Sequence, residues 1–227
     1  MDNDIIVLLS FIKKQCILFK EMERKKMIIT ISREFGSGGR ELGKRLSDAF
    51  SIPYYDKEII ALIVKENGFD ENYVAHISER KIQAAYPLTI GHQFATTVNH
   101  VTEQTVKIAV EQHKIIEQFA AQGSCIIVGR CAETVLKDRK GLISVFILGN
   151  YEVKLKRIMD KYHLSETDAA TKIKRHDKHR KQYHNHYSDG KWGDSRLYDL
   201  CINSSHLGID KTAIIIKDYI KEIMDTL

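Results

Sequence analysis

A glycine-rich stretch, Gly36-Ser37-Gly38-Gly39, is followed at once by a cation, Arg40. Glycine accepts positive φ angles and lets the backbone approach a phosphate closely, and the N–H groups at the start of a helix favour an anion. A guanidinium beside such a turn would add a fixed positive charge. These five residues are therefore the candidate site for a phosphate-bearing ligand. The alternative is a tight turn without a ligand.

The stretch departs from the usual phosphate-binding loop. In the pattern G-x-x-x-x-G-K-[ST], a lysine reaches the phosphates and a hydroxyl binds Mg²⁺. That pattern is not met here: read from Gly36 as a shorter loop, the chain has Gly39 in the lysine place and Glu41 in the Ser/Thr place. We therefore expect Arg40 to neutralise the bound phosphates, whereas Lys44, about one turn further along a helix, should contribute little. The Glu41 carboxylate could bind Mg²⁺ directly or through water.

Three other polar residues follow short apolar runs: Asp56, Arg130 and Asn203. Asp56 could accept hydrogen bonds from a ribose or a base, or it could cap the next helix. Arg130, directly after Gly129, could clamp a phosphate with its planar guanidinium, or it could pair with a helix acid at the surface. We predict Asp56 and Arg130 as substrate-binding residues.

The segment 172–191 is strongly basic, with seven Lys/Arg, four His and two acids. Arg175 and Arg180 could belong to a mobile cationic lid, and Asp177 lies three residues before Arg180, a spacing that can pair on a helix. The alternative is a solvated basic helix. Four histidines are interleaved with the lysines, and no carboxylate or thiolate pattern completes a metal shell, so we predict no metal site built from His176, His179, His184 and His186.

Strand and helix patterns alternate along the chain. Apolar runs typical of buried strands lie at 27–31, 51–56, 124–128, 142–148 and 198–203, and helical patterns at 39–50, 57–65, 70–82, 94–122, 131–137, 151–162, from 165 and at 209–223. This alternation predicts an α/β fold with a parallel sheet covered by helices on both faces. Ligands of such folds bind at the carboxyl ends of the strands. The glycine stretch with Arg40 falls at such an end, and so do Asp56, Arg130 and Asn203.

Composition is that of a globular protein: 227 residues, 43% hydrophobic and 29% charged, with a net charge of +5. The small positive excess suits anionic small molecules and also weak contact with nucleic acid. None of the four cysteines forms a C-x-x-C pair, so we expect reduced thiols in a cytoplasmic protein at Cys16, Cys125, Cys131 and Cys201.

Residues 1–26 differ from the rest of the chain. Their apolar cluster is shorter than the ~20 residues that a membrane-spanning helix needs, and the acidic start lacks the features of a signal peptide. The segment could be an amphipathic interaction helix or an extension outside the domain. We predict an extension over 1–26 and a single domain over 27–227.

Two sequence segments, M-I-I-T-I-S-R-E-F-G-S-G-G-R-E-L-G-K at 27–44 and I-P-Y-Y-D-K-E-I at 52–59, resemble the cytidylate kinase-like proteins of the P-loop nucleoside-monophosphate kinase group. Gly129-Arg130 is similar to the Gly-Arg-Asp of true cytidylate kinases, and Asp177-x-x-Arg180 to their lid motif. The segment 198–203 looks like their last strand. The resemblance covers about residues 27–225.

The resemblance implies a P-loop-type sheet of five parallel strands in the order 2-3-1-4-5, with an acceptor-binding insertion at about 57–122 and a lid at about 163–195. It implies transfer of the ATP γ-phosphoryl group to a nucleoside monophosphate such as CMP or dCMP, with Mg²⁺. The loop would hold the donor phosphates and Arg130 the acceptor phosphate. Arg175 and Arg180 would close over the transferring group, and Asn203 would lie near the adenine.

Three departures leave alternatives open. The P-loop lysine and its Ser/Thr neighbour are absent, Cys131 replaces the acid after Gly-Arg, and 57–122 is more helical than the acceptor region of true cytidylate kinases. A non-catalytic nucleotide-binding or regulatory protein on the same fold is the first alternative. Nucleic-acid binding through 172–191 is the second, and it predicts a steep salt dependence.

Overall fold

The computed structural model of the protein describes residues 26–68, 70–71 and 94–226, and its centre is a sheet of five parallel strands. The strands lie in the order β2-β3-β1-β4-β5, and every neighbouring pair is parallel. The predicted order 2-3-1-4-5 is confirmed. In chain order the strands are β1 (Ile28–Arg33), β2 (Tyr54–Tyr55), β3 (Cys125–Val128), β4 (Leu142–Leu148) and β5 (Leu200–Asn203).

Helices cover both faces of this sheet. They are α1 (Gly39–Phe50), α2 (Glu58–Asn67), α3 (Phe94–Gln122), α4 (Ala132–Val135), α5 (Tyr151–Tyr162), α6 (Glu166–Tyr187) and α7 (Gly208–Thr226), with a 3₁₀ turn at Ser195–Leu197. Within the described ranges, none of the helices is long and apolar enough to cross a membrane.

The two faces of β1 build two separate cores. Ile28 packs in one cluster with residues of α2 and α3, whereas Ile29 and Ile31 pack in the other with residues of α1 and α7. Side chains of a strand alternate between faces, so a run of β-branched residues supplies both cores at once. All six residues of β1 are buried, as a central strand of a parallel sheet requires.

Most predicted elements are found, but the strand predicted at 51–56 is only Tyr54–Tyr55 and the helix predicted at 131–137 is only Ala132–Val135. The helices at 39–50, 94–122 and 151–162 and the strand at 142–148 are found with those limits. The last strand begins only at Leu200. Just before it, the Asp199 carboxylate accepts the Ser144 N–H at 2.7 Å, and the Asp199 N–H donates to the Ser144 carbonyl at 2.9 Å. The predicted extension 1–26, apart from Lys26, and most of the predicted helix 70–82 lie outside the described residues.

Candidate active site

The connection between β1 and α1 forms a backbone cradle. Gly36 and Gly38 have φ angles of 89° and 85°, which favour glycine. Helix α1 begins at Gly39, and no side chain caps its N-terminus, so the N–H groups of its first turn face the mouth of the loop. The buried Ser37 hydroxyl donates to the Glu34 carbonyl at 2.9 Å. An anion here would therefore meet backbone N–H groups and not the serine hydroxyl.

The back of this loop rests on α5. A Cβ atom added at Gly36 would lie 3.1 Å from the Lys154 Cβ. The buried Lys154 ammonium lies 2.9 Å from Glu34 Oε2 and 3.4 Å from Asp177 Oδ2, and the Gly149 N–H donates to the same Glu34 oxygen at 3.1 Å. Lys154 thus fixes the loop on α5 through its ion pair with Glu34 and its close contact with Gly36.

Helix α6 also contacts the loop. The Asp177 carboxylate accepts a hydrogen bond from the Phe35 N–H at 2.6 Å, and the His176 ring stacks on Phe35 with 4.2 Å between centroids. Arg180 donates from Nη1 to the Arg33 carbonyl at 3.1 Å. One face of the basic segment is therefore in direct contact with the end of β1 and the loop.

Three arginines converge beside the loop. Arg33, Arg130 and Arg180 line one cavity of about 30 Å³, and Arg33 and Arg180 also line the cleft over the glycine loop. Arg33 and Arg130 are each 5% exposed. Three guanidinium groups in one place favour phosphate or carboxylate ligands. The cavity is far smaller than the 300–1,000 Å³ typical of a ligand pocket, so a nucleotide would have to open it.

The backbone that presents Arg130 is unusual. Gly129, Arg130 and Cys131 have successive φ angles of 77°, 61° and 53°, and a non-glycine residue in this region costs roughly 1–2 kcal/mol. The fully buried Gln112 of α3 donates from Nε2 to the Arg130 carbonyl at 3.4 Å and to the Tyr183 hydroxyl at 2.6 Å. Strain held in this way by tertiary contacts is typical of functional sites.

Cys131 stands where true cytidylate kinases have an acid. Burial raises the pKa of its thiol well above the usual value, and the nearby Glu133 adds to this effect while Arg130 opposes it. The group is therefore a neutral thiol. The buried Glu133 carboxylate is directed elsewhere, since its Oε1 lies 3.2 Å from His184 Nε2.

Asp56 lies at the end of β2 and is paired with Arg40. Arg40 Nε lies 2.6 Å from Asp56 Oδ2, and Arg33 Nη2 lies 4.0 Å from Asp56 Oδ1. The capping alternative for Asp56 does not hold, because α2 begins at Glu58 with Lys57 as its N-cap. The Arg40 side chain, which is 48% exposed, is thus directed along the sheet edge towards β2.

The carboxylates around the loop are each paired with a cation. Glu34 pairs with Lys154, Asp56 with Arg40 and Glu41 with Arg157. Although its partial burial acts in the opposite direction, the hydrogen bond and charge of Arg157 lower the pKa of Glu41. In the described ranges, no three or more His, Cys, Asp or Glu side chains gather at a metal-binding distance. These residues do not fit a Mg²⁺ ion held by the protein itself.

Two predicted residues lie apart from the arginine cluster. Arg175 is exposed, on the side of α6 turned away from the loop. Asn203 is half-buried at the end of β5, where its Nδ2 donates to Asn150 Oδ1 at 2.7 Å. Its neighbour Ser204 reaches the loop instead, since the Ser204 hydroxyl donates to the Ser37 carbonyl at 2.6 Å.

Sequence reasoning missed Arg33, Lys154, Gln112 and Ser204. Arg33 and Ser204 had a usable signal, because each is a polar residue at or just after the end of a strand. Lys154 and Gln112 had none, since each is one polar residue among many on a helix. Only the packing of α5 and α3 against the sheet brings them to the site.

The sequence model of the cytidylate kinase-like family matches residues 28–206 of the chain. That span includes the glycine loop, the three clustered arginines (Arg33, Arg130 and Arg180) and the whole of α6. No curated protein matches the chain.

The solved structures that are similar to it include the following two. An uncharacterized protein from Eubacterium ventriosum ATCC 27560 is 34% identical, with a TM-score of 0.66 over 86% of this chain and 99% of that one. The shikimate kinase from Bacteroides thetaiotaomicron is 12% identical, with a TM-score of 0.50 over 86% of this chain and 98% of that one. The second likeness concerns the fold alone.

Proposed function

The chain belongs to the cytidylate kinase-like family, and from this membership we propose that it transfers the γ-phosphoryl group of ATP to a small acceptor, with CMP and dCMP as the first candidates. The observation that carries the proposal is the convergence of Arg33, Arg130 and Arg180 beside the glycine loop. Such an arrangement suits a reaction that needs two phosphate-bearing molecules side by side.

Phosphoryl transfer depends on positioning and on neutralising charge, and the protein does little covalent chemistry. In this proposal the N–H groups of the loop and of the first turn of α1 hold the donor phosphates. Arg130 holds the acceptor, fixed in direction by the strained backbone of residues 129–131. Arg180, carried by α6, closes over the transferring group, where exclusion of water strengthens its electrostatic effect.

The remaining predicted residues take supporting places. Asp56 is buried beside Arg33 and Arg40, so it orients cations at the end of β2. Asn203, at the end of β5, is the residue that the resemblance assigns to the neighbourhood of the adenine. The family implies the use of a nucleotide and Mg²⁺ in general, and the paired carboxylates here leave the metal to the phosphates of the nucleotide.

A non-catalytic nucleotide-binding protein is the second candidate. The observation that favours it is the loss of both the lysine and the hydroxyl of the usual loop, with Glu41, whose carboxylate is paired with Arg157, in the hydroxyl's place. Nucleic-acid binding has less support, because residues 176, 177 and 180 of the basic segment are directed at the loop.

The deciding experiment is a panel of acceptors with ATP and Mg²⁺, read as ADP release. The panel contains all nucleoside monophosphates and their deoxy forms, and also shikimate. We expect one acceptor class to stimulate ADP release, and Arg130→Met to raise the KM for that acceptor at least tenfold. The exposed Lys44→Ala serves as the matched control. Tight ATP binding without ADP release for any acceptor would favour the non-catalytic candidate.

A further inference from the structure

We propose that Arg33 takes the place of the missing P-loop lysine, so that the cation of the loop has moved from the seventh position of the motif to the first. The pattern G-x-x-x-x-G-K begins with glycine and ends with lysine. Read from residue 33, this chain has arginine at the first position, Gly38 at the sixth and Gly39 at the seventh. The inference rests on the proposed function, because it concerns the same donor-phosphate site.

The space of a side chain at position 39 is filled by Arg33. A Cβ added at Gly39 would lie 2.7 Å from the Cβ, 2.8 Å from the Cγ and 3.6 Å from the Cδ of Arg33, and these are its three nearest atoms. Gly39 is not among the residues with positive φ, so its backbone would accept a lysine. The obstacle is the aliphatic part of Arg33, which runs over the start of α1.

The guanidinium of Arg33 ends over a second glycine. A Cβ added at Gly129 would collide with Arg33 Nη1 and would lie 2.9 Å from Cζ and 3.3 Å from Nη2. Glycines 39 and 129 therefore clear a path for one side chain from the end of β1 to the end of β3. Because both glycines leave room for the same arginine, the fold fixes the path of the Arg33 side chain.

The path ends where a transferring phosphoryl group would lie. Arg33 lines both the cleft over the loop and the cavity that it shares with Arg130 and Arg180. It is thus positioned between the donor loop and the proposed acceptor arginine. The side chain is 5% exposed, and a charge in such a water-poor place interacts strongly with phosphate.

The test exchanges the two positions of the motif. ATP affinity is measured by calorimetry, and thermal unfolding is followed in parallel, for Arg33→Met, Arg33→Gly, Gly39→Lys and the double variant Arg33→Gly/Gly39→Lys. We expect Arg33→Met and Arg33→Gly to weaken ATP binding more than tenfold. Gly39→Lys alone should lower the melting temperature, because the new side chain collides with Arg33.

The double variant is the decisive member of the set, since it restores the sequence G-E-F-G-S-G-K. We expect it to recover both the melting temperature lost by Gly39→Lys and most of the ATP affinity lost by Arg33→Gly. Lys44→Ala, on the exposed side of α1, is the matched loss of a cation and should bind ATP as the wild type does.

Several results would overturn the inference. One is an Arg33→Met protein that is folded and binds ATP with unchanged affinity. Another is a double variant that is stable yet binds ATP no better than Arg33→Gly, which would make Arg33 a structural residue only. If Arg33→Met fails to fold, the comparison of the double variant with Arg33→Gly still decides.

The same measurements separate this inference from the proposed function. A wild type that binds ATP through Arg33 but phosphorylates no acceptor contradicts the kinase proposal and leaves the Arg33 inference intact. A wild type that turns over, with the Arg33 variants equally active, contradicts only the inference. A wild type that does not bind ATP contradicts both.

Discussion

The Asp177 carboxylate on α6 accepts a hydrogen bond of 2.6 Å from the Phe35 N–H in the glycine loop. Residues 142 positions apart in the chain are thereby joined at the centre of the site. The other oxygen of Asp177 lies 3.4 Å from the Lys154 ammonium. The conformation of the loop and the position of the predicted lid are therefore coupled through one carboxylate.

This carboxylate predicts a pH-dependent contribution to stability. Burial raises the pKa of Asp177, although the Phe35 N–H, Lys154 and Arg180 oppose the effect. The folded protein thus takes up this proton more readily than the unfolded chain, whose Asp pKa is about 3.9. The resulting stabilisation is complete below that value and is lost as the pH rises through the folded-state pKa.

We therefore expect Asp177→Asn to be more destabilising at pH 4.5 than at pH 7, because the variant lacks the titrating group. Urea unfolding of both proteins at the two pH values measures the difference. A destabilisation that is equal at both values, or larger at pH 7, would contradict the prediction.

The lid itself is tested by hydrogen exchange. Residues 163–195 are predicted to move, and α6 touches the loop at residues 176, 177 and 180. Amide exchange in this segment should slow when ATP and the acceptor are both bound, and by less with either alone. Asp177→Ala should speed exchange of the Phe35 amide. Amide exchange that is equally slow with and without ligands would indicate a fixed helix and no lid.

Substitution of Arg40 should mainly change the KM for the acceptor, whereas substitution of Arg33 should mainly change the affinity for ATP. Arg40 is paired with the buried Asp56 at 2.6 Å, so Arg40→Ala should disturb the end of β2 and raise the acceptor KM about fivefold, equivalent to ~1 kcal/mol. ATP affinity should change by less than it does in Arg33→Met. Lys44→Ala, one turn along α1, is the control. If Arg40→Ala loses more ATP affinity than Arg33→Met does, Arg40 is the residue that binds the phosphates of ATP.

Substitution of Gly43 should lower the stability of the protein whether or not a ligand is bound. A Cβ there would lie 2.8 Å from Tyr54 Cε2 and 3.1 Å from Val128 Cγ2, so α1 could not keep its distance from the sheet. Although alanine favours helix, Gly43→Ala should lower the free energy of unfolding by about 1–3 kcal/mol. Lys44→Ala, exposed on the same helix, should be nearly neutral. Equal stabilities would contradict this close approach.

The predicted extension 1–26 is tested by deletion. Strand β1 begins at Ile28 and the family match also begins at residue 28. A protein starting at Met27 should therefore retain the wild-type melting temperature and ADP release. Insolubility or a changed oligomeric state after deletion would assign residues 1–26 a structural role.

The residue patterns of the sequence by themselves determined the parallel sheet and the glycine loop, whereas the strand order was implied only by the family resemblance. Buried parallel strands read as unbroken β-branched runs, as in residues 28–31, and amphipathic helices repeat every three to four residues. These patterns are local, so they can be recognised without knowing what packs against what. The same reasoning located Asp56 and Arg130 at strand ends, which share one edge of any parallel sheet.

Tertiary structure decided which side chains meet at that edge. Arg40 is nearest to the loop in sequence, yet it turns towards Asp56, while Arg33 fills the space over Gly39. On α6, Arg180 faces the loop and Arg175 faces solvent. The direction of a long side chain depends on where its neighbours leave room. The rotation of a helix about its axis depends on which of its faces is buried. Both are set by residues far apart in the chain.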